Sequence, residues 1–402
     1  MAKIHDSFRE NPHLTNTHHT CFTLLLDEIL QKLNANNFRY VHGLISYSGY
    51  TKNTDLFCYL KEQHLKDLRD NKIFFIFDSS TEGYSPTLHV PLFDMLYWNC
   101  KEYNVDPKQI MYVSANLKDE ETLKTYCCQN NVKPLTVFSF PSFEMVISHD
   151  GIDVQDKISN TVSLLEKNYK GKYFSSLSRR NRQYRTTATF LLCQDPFSEN
   201  GLISHDKIPP PRDLTIWKSY HGISDYSDDT IIKWFNSLPL TIDRNDFDIN
   251  WALDKSFVKI HNQTIFQIAN ETEMNDYNGT ALFLSEKTFR PISQFQPFVI
   301  YGQLGSNYIL KELGYRLYDE WFDLSFDSEP DHVLRYKKLL SSVNDVCKQL
   351  DRMNKKQQIA WRFKNQELLI HNYQTMHKQQ YSRIKLNSLI ERIVNDHRST
   401  NQ

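Results

Sequence analysis

The sequence predicts an α/β protein: two domains, each built on a parallel sheet, facing a cleft, with a C-terminal helical tail. Three observations carry this expectation. Short apolar runs of strand length alternate with helical patterns, as parallel βαβ units require. The alternation comes in two sets of similar size, and 402 residues are too many for one small core. Beyond about Pro330 only helical apolar spacing remains. The expected domains are 1–170, 171–336 and a basic tail over 337–402.

The elements follow in order. KIFFIFD (Lys72–Asp78) is a buried-type strand ending in a carboxylate and the polar run SSTEGYS. A helical pattern spans about Val90 to Tyr103 and stops near Val105-Asp106-Pro107. Strand QIMYVSAN, a helix opening near Asp119 and strand PLTVFSF complete the first set. Upstream, Cys21–Leu33 and Tyr40–Tyr47 add a helix and a strand. The second set opens with KYFSSLS (172–178), the basic turn RRNRQYR and the apolar helix TTATFLLCQ. IPPPRD (208–213) is a loop. TIFQIAN (264–270) and QPFVIYG (296–302) read as strands, and LSEKTFRPISQ as a helix entry. SNYILKELG (306–314) reads as a helix stopped by Gly314, and YRLYDEWFD as strand or loop.

Composition narrows the chemistry. Gly is only 11, roughly 3% against a usual level of about 7%. No GxGxxG or GxxxxGK[ST] occurs, so glycine-loop nucleotide enzymes are excluded in their usual form. A nucleotide here would be gripped by side chains or a helix N-terminus. The net charge of −1 hides an asymmetry: Lys337–Gln402 carries +8, leaving −9 on the rest. The 7 cysteines form no CxxC pair, which points to reduced thiols in a cytoplasmic setting. No run approaches the roughly 18 apolar residues a membrane span needs, and the opening residues have no apolar signal core.

Gln267–Tyr315 is the most informative stretch. A strand ends in an acidic turn (Glu271, Glu273), and Ser285 then caps a helix whose first turn holds Glu286, Lys287 and Thr288, with Arg290 following. Free backbone N–H groups, a positive helix end and a lysine make an anion site. Glu286 can accept hydrogen bonds from sugar hydroxyls. The plain alternative is a capped helix start with Lys287 and Arg290 solvated. The four arginines of the basic turn follow a strand and precede a helix, where a parallel sheet has its ligand crevice. One or two of them are expected on a phosphate and the rest in solvent.

The order strand, acidic turn, [ST]EK, basic residue, helix, P-[FV]-[VI]-[VI]-x-G resembles the donor domain of the α-1,3-fucosyltransferases and related bacterial and phage glycosyltransferase-like proteins. The resemblance covers 172 to about 340. It implies a GT-B fold, with two Rossmann-like domains facing a cleft, and transfer of a sugar from a nucleotide-sugar to an acceptor hydroxyl by metal-independent direct displacement. By position it puts Lys287 on the diphosphate, Glu286 on hydroxyls, Glu271 or Glu273 in the acidic turn, and Arg179, Arg180, Arg182 or Arg185 on the diphosphate. No cofactor is implied beyond the nucleotide-sugar as co-substrate.

Such transfer needs a base for the acceptor hydroxyl. Glu82 in STEGY is the first candidate and Asp78 the second; Glu82 beginning a turn with Gly83 is the plain alternative. His89 shares that segment, and His18, His19 and His42 read as surface or packed residues. No HExxH is present, and Asp246/Asp248 lack the strand context of a metal-binding DxD. The expected partners are a nucleotide-sugar and an acceptor, either a glycan or a hydroxylated base in phage DNA. The basic tail adds DNA or another subunit as a contact, with no membrane insertion. The rival from another class is a non-catalytic GT-B-like scaffold that assembles through the tail.

Overall fold

The computed structural model describes residues 39–44, 51–80, 83, 85–88, 91–147, 153–178, 181–240, 255–275 and 278–400. It is a mixed α/β structure with two four-stranded sheets, both wholly parallel, and many helices. The chain forms two compact units. The first comprises Met1–Val146, Asp276–Leu284 and Gln379–Gln402; the second comprises Ile147–Asn275 and Ser285–Lys378.

In the first unit the strands β1 (Arg39–Leu44), β2 (Ile73–Ser79), β3 (Ile110–Ser114) and β4 (Thr136–Ser139) lie in chain order. Every residue of β2 and β3 is buried, which is why they read as continuous apolar runs and not as alternating ones. Helices Glu62–Arg69, Leu92–Glu102 and Asp119–Asn130 make the crossovers. Phe57 meets Phe75 at 5.1 Å and Phe93 meets Tyr112 at 6.0 Å, ring edge to ring face, in the core on one side of this sheet.

Two later stretches complete this unit. Residues 280–283 form a strap at the carboxyl end of β3. The Leu117 amide donates to the Leu282 carbonyl at 2.8 Å, and the Leu282 amide to Asn116 Oδ1 at 2.8 Å. Asn116 Nδ2 donates to the Thr280 carbonyl at 2.9 Å, and the hydroxyls of Ser85 and Thr280 lie 2.7 Å apart. Gly83 has to be glycine here, since a Cβ would stand 2.1 Å from the Phe283 side chain. The second stretch is the helix Gln380–Thr400, which buries Leu386, Leu389, Ile390 and Ile393. Its Lys385 pairs with Glu120 at 2.9 Å, and Ser382 donates to Glu144 at 3.2 Å. Gln379, in left-handed backbone at φ 48°, separates it from the helix Gln366–Lys378.

In the second unit the order is β6-β5-β7-β8, from β5 (Lys172–Ser178), β6 (Gly201–His205), β7 (Thr264–Asn270) and β8 (Phe298–Tyr301). The chain leaves β5 toward one side for β6, then returns past it to lay β7 on the other side. The neighbours β5 and β7 thus bracket a topological switch point, where open parallel sheets take their ligands. The first sheet, wound one way only, has none among its described strands.

Several boundaries differ from the sequence expectation. The helix Val154–Asn168, expected in the first domain, belongs to the second unit: it buries Ile158, Thr161 and Leu165, and Tyr169 just beyond it donates to Gln358 at 2.8 Å. The described residues from 337 to 400 are mostly helical but form no unit of their own. Those up to Lys378 lie in the second unit and those from Gln379 in the first. An amphipathic period announces an apolar face without saying which core receives it. The expected helix over 306–314 shortens to Ile309–Glu312, with Gly314 at φ 93° beyond it. YRLYDEWFD contains no strand, and β6 is a strand that the sequence does not announce.

Candidate functional site

At the switch point the sheet ends in polar side chains. Asn270 closes β7 and donates through Nδ2 to Ser176 Oγ at 2.8 Å and Ser178 Oγ at 2.7 Å on β5. Glu271, the next residue, is fully buried. One of its carboxylate oxygens accepts the Ser285 amide at 3.0 Å and the Thr288 hydroxyl at 2.6 Å; the other accepts the Thr272 amide at 3.2 Å. Glu271 therefore ties the end of β7 to the start of the helix Glu286–Ser293. Gly302 stands against it, since a Cβ there would lie 3.3 Å from that of Glu271.

The helix Gln183–Gln194 follows β5. Its first turn holds no acidic residue, and no side chain caps it, so its leading amides are unclaimed by the usual oxygen. Arginine in a first turn opposes the helix dipole. Arg185 nevertheless sits there, 4% exposed, donating from Nε to the Glu271 carbonyl at 3.0 Å and from Nη2 to Thr272 Oγ1 at 2.8 Å. From the other side of the site Lys287 reaches the same threonine. Its Nζ lies 2.5 Å from Glu286 Oε1, 3.2 Å from Ser285 Oγ and 3.5 Å from Thr272 Oγ1. Ser285 is the helix N-cap and accepts the Lys287 amide at 3.4 Å.

The electrostatics follow from this crowding. Burial raises the Glu286 carboxyl, but the charges of Lys287, Arg290 and Arg185 outweigh it and hold the group well below the usual glutamate range. Burial takes the Lys287 ammonium down to about 8, with Arg185 acting in the same sense and Glu286 and Glu271 against it. The result is a pair of cations from two helix entrances, Arg185 buried and Lys287 partly accessible, flanked by two carboxylates. That arrangement suits an anion bearing hydroxyls nearby.

No family model matches the chain, and no curated protein does. Among solved structures, the N-terminal domain of the trehalose-6-phosphate phosphatase of Candida albicans is a distant neighbour. Its TM-score is 0.42 at 11% identity, over 96% of this chain and 78% of that one. A likeness of that size carries no argument about activity.

The expected donor residues divide into groups. Arg185, Glu271, Ser285, Glu286 and Lys287 come together, and buried Arg290 acts on Glu286 through its charge. Arg182 is the N-cap residue of its helix and half-buried. Glu273 turns to its own loop, accepting the amides of Met274 at 2.9 Å and Asn275 at 3.0 Å. Arg179, Arg180 and Glu82 lie outside the described residues, as do His18, His19, His89, Asp246 and Asp248. Asp78 is fully buried at the end of β2, where it accepts the Ser80 amide at 2.9 Å. Thr272 and Asn270 were missed. Both sit at a strand end beside a switch point, but the strand order that creates the switch is not written locally. Among the described residues no group of three or more His, Cys, Asp or Glu could hold a metal ion, and no helix is long and apolar enough to cross a membrane.

Proposed function

We propose that the protein is a nucleotide-sugar-dependent glycosyltransferase of GT-B type, with the donor's diphosphate at the carboxyl ends of β5 and β7. The observation that carries this reading is the convergence of Arg185 and Lys287 on Thr272 beside Glu286 and Glu271. Two cations from the helices that follow two adjacent parallel strands match a diphosphate at a switch point, with no glycine loop required. The resemblance of the S-E-K stretch to fucosyltransferase donor domains points the same way.

In this reading an acceptor hydroxyl oxygen attacks the anomeric carbon as the bond from that carbon to the diphosphate oxygen breaks. The electron pair leaves with the diphosphate, and Arg185 and Lys287 stabilise the growing negative charge. The acceptor proton goes to a base, for which Glu82 and Asp78 remain the proposed residues, Glu82 first. The acceptor is a glycan or a hydroxylated base in DNA.

The test is a thermal-shift screen of the full chain against UDP-, GDP-, CDP- and dTDP-sugars, followed by an assay for nucleoside diphosphate release. Stabilisation by one nucleotide class, with slow release of its diphosphate, supports the proposal. No shift with any of the four overturns it.

A further inference from the structure

Thr272 is the group where the two cations meet. Its hydroxyl oxygen accepts from Arg185 Nη2 at 2.8 Å and lies 3.5 Å from Lys287 Nζ. A hydroxyl has one hydrogen and two lone pairs. Here both lone pairs face cationic donors, and the described residues offer the hydrogen no acceptor. The Thr272 amide is already bound to Glu271 Oε2 at 3.2 Å, so the backbone cannot serve a ligand in its place. The residue is half-buried, with its neighbour Glu271 locked beneath it. Two positive groups on the oxygen also polarise the O–H bond and make its hydrogen a stronger donor.

We infer that Thr272 donates its hydroxyl hydrogen to an oxygen of the bound diphosphate, between the oxygens taken by Arg185 and Lys287. The inference rests on the reading of this site as a diphosphate site. It assigns a third contact by which that site recognises a phosphate oxygen, and it makes the hydroxyl a fixed spacer between the cations. An anion held this way has both its charge and the position of one oxygen specified.

The experiment is calorimetric titration of the full chain with inorganic pyrophosphate, alongside the melting temperature. Thr272→Ser and Thr272→Ala both lack the γ-methyl and differ only in the hydroxyl. The expected result is near-native affinity for Thr272→Ser and a loss of about tenfold for Thr272→Ala, the alanine variant also melting lower because Arg185 Nη2 loses its acceptor. A charge-assisted hydrogen bond is of that order. Equal affinities in the two variants, while Lys287→Met binds weakly, overturn the inference and leave the donor-site reading standing. No pyrophosphate binding by the unsubstituted chain overturns both.

Discussion

The ammonium of Lys287 lies 2.5 Å from the carboxylate of Glu286, its neighbour in sequence, and both side chains are largely shielded from solvent. Consecutive residues on a helix do not ordinarily face each other. Here the pairing arises at the N-terminal turn, where Lys287 folds back over the Ser285 cap.

Lys287→Met is expected to weaken pyrophosphate binding at least tenfold and also to lower stability by about 1–3 kcal/mol. It leaves the Glu286 carboxylate shielded with only Arg290 and Arg185 to offset it. The double variant Glu286→Gln/Lys287→Met removes both charges and is expected to regain most of the stability, but not the binding. Urea unfolding and calorimetry separate the two effects. A double variant no more stable than the single one would contradict the pairing.

The affinity of the site is expected to depend on pH through Lys287. Its ammonium, lowered to about 8 by burial, is charged below that pH and progressively neutral above it. Pyrophosphate binding should weaken as pH rises from about 7.5 to 9.5. In Lys287→Arg the guanidinium keeps its charge across this range. The ratio of the two affinities, which cancels the ionisation of the ligand, is the measurement. A ratio constant with pH would show that Lys287 does not titrate there.

Arg362 has no side-chain exposure and donates to four backbone carbonyls. Nη1 reaches His261 at 2.7 Å and Thr264 at 2.8 Å, Nη2 reaches Gln294 at 2.5 Å, and Nε reaches Phe295 at 3.2 Å. It thereby holds the entry to β7 and the turn before β8, the frame on which the site is hung. Arg362→Met is expected to cost about 3–5 kcal/mol, because it strands buried acceptors. Arg362→Lys should recover only part. Loss under 1 kcal/mol in denaturant titration would refute this role.

Asp119 gives a pH test of the first unit. Burial raises its carboxyl to about 8, against hydrogen bonds from Ser114, Tyr112 and Asn116 that favour the ionised form. The folded state therefore keeps a proton that the unfolded chain loses near pH 3.8. This group's contribution to stability is full below that pH and is lost as pH rises through about 8. Asp119→Asn preserves an acceptor for Asn116 Nδ2, now 2.5 Å from Oδ1, and removes the titration. Its stability relative to the unsubstituted protein should climb between pH 5 and 9. Parallel pH profiles would rule this out.

How much of this was legible depends on range. KYFSSLS and TIFQIAN coincide with β5 and β7 because buried parallel strands are short apolar or aromatic runs. GLISH does not stand out as a strand, because β6 lies at the sheet edge with a half-exposed start and its apolar run is weaker. The S-E-K helix start was readable from its cap and charges. The choice of Arg185 from four arginines was not, since letters do not say which guanidinium is within reach of a carbonyl at the end of the neighbouring strand β7. Nothing local to Arg362 reveals the four carbonyls waiting for it. The strap at 280–283 was equally silent: ALF is apolar, but the side chain that accepts its backbone, Asn116, is more than 160 positions earlier.

The interleaving of the two units bears on the order in which the protein can be finished on the ribosome. The sheet of the first unit is made early, yet its strap and its last helix come only after most of the second unit has been synthesised. Until then the surface that Leu386, Leu389 and Ile390 will cover stands open to water. The second unit, though begun later, is supplied with all its segments by Lys378. The part of the chain translated first is thus the part closed last, and its nascent form is the one in need of shelter from other chains.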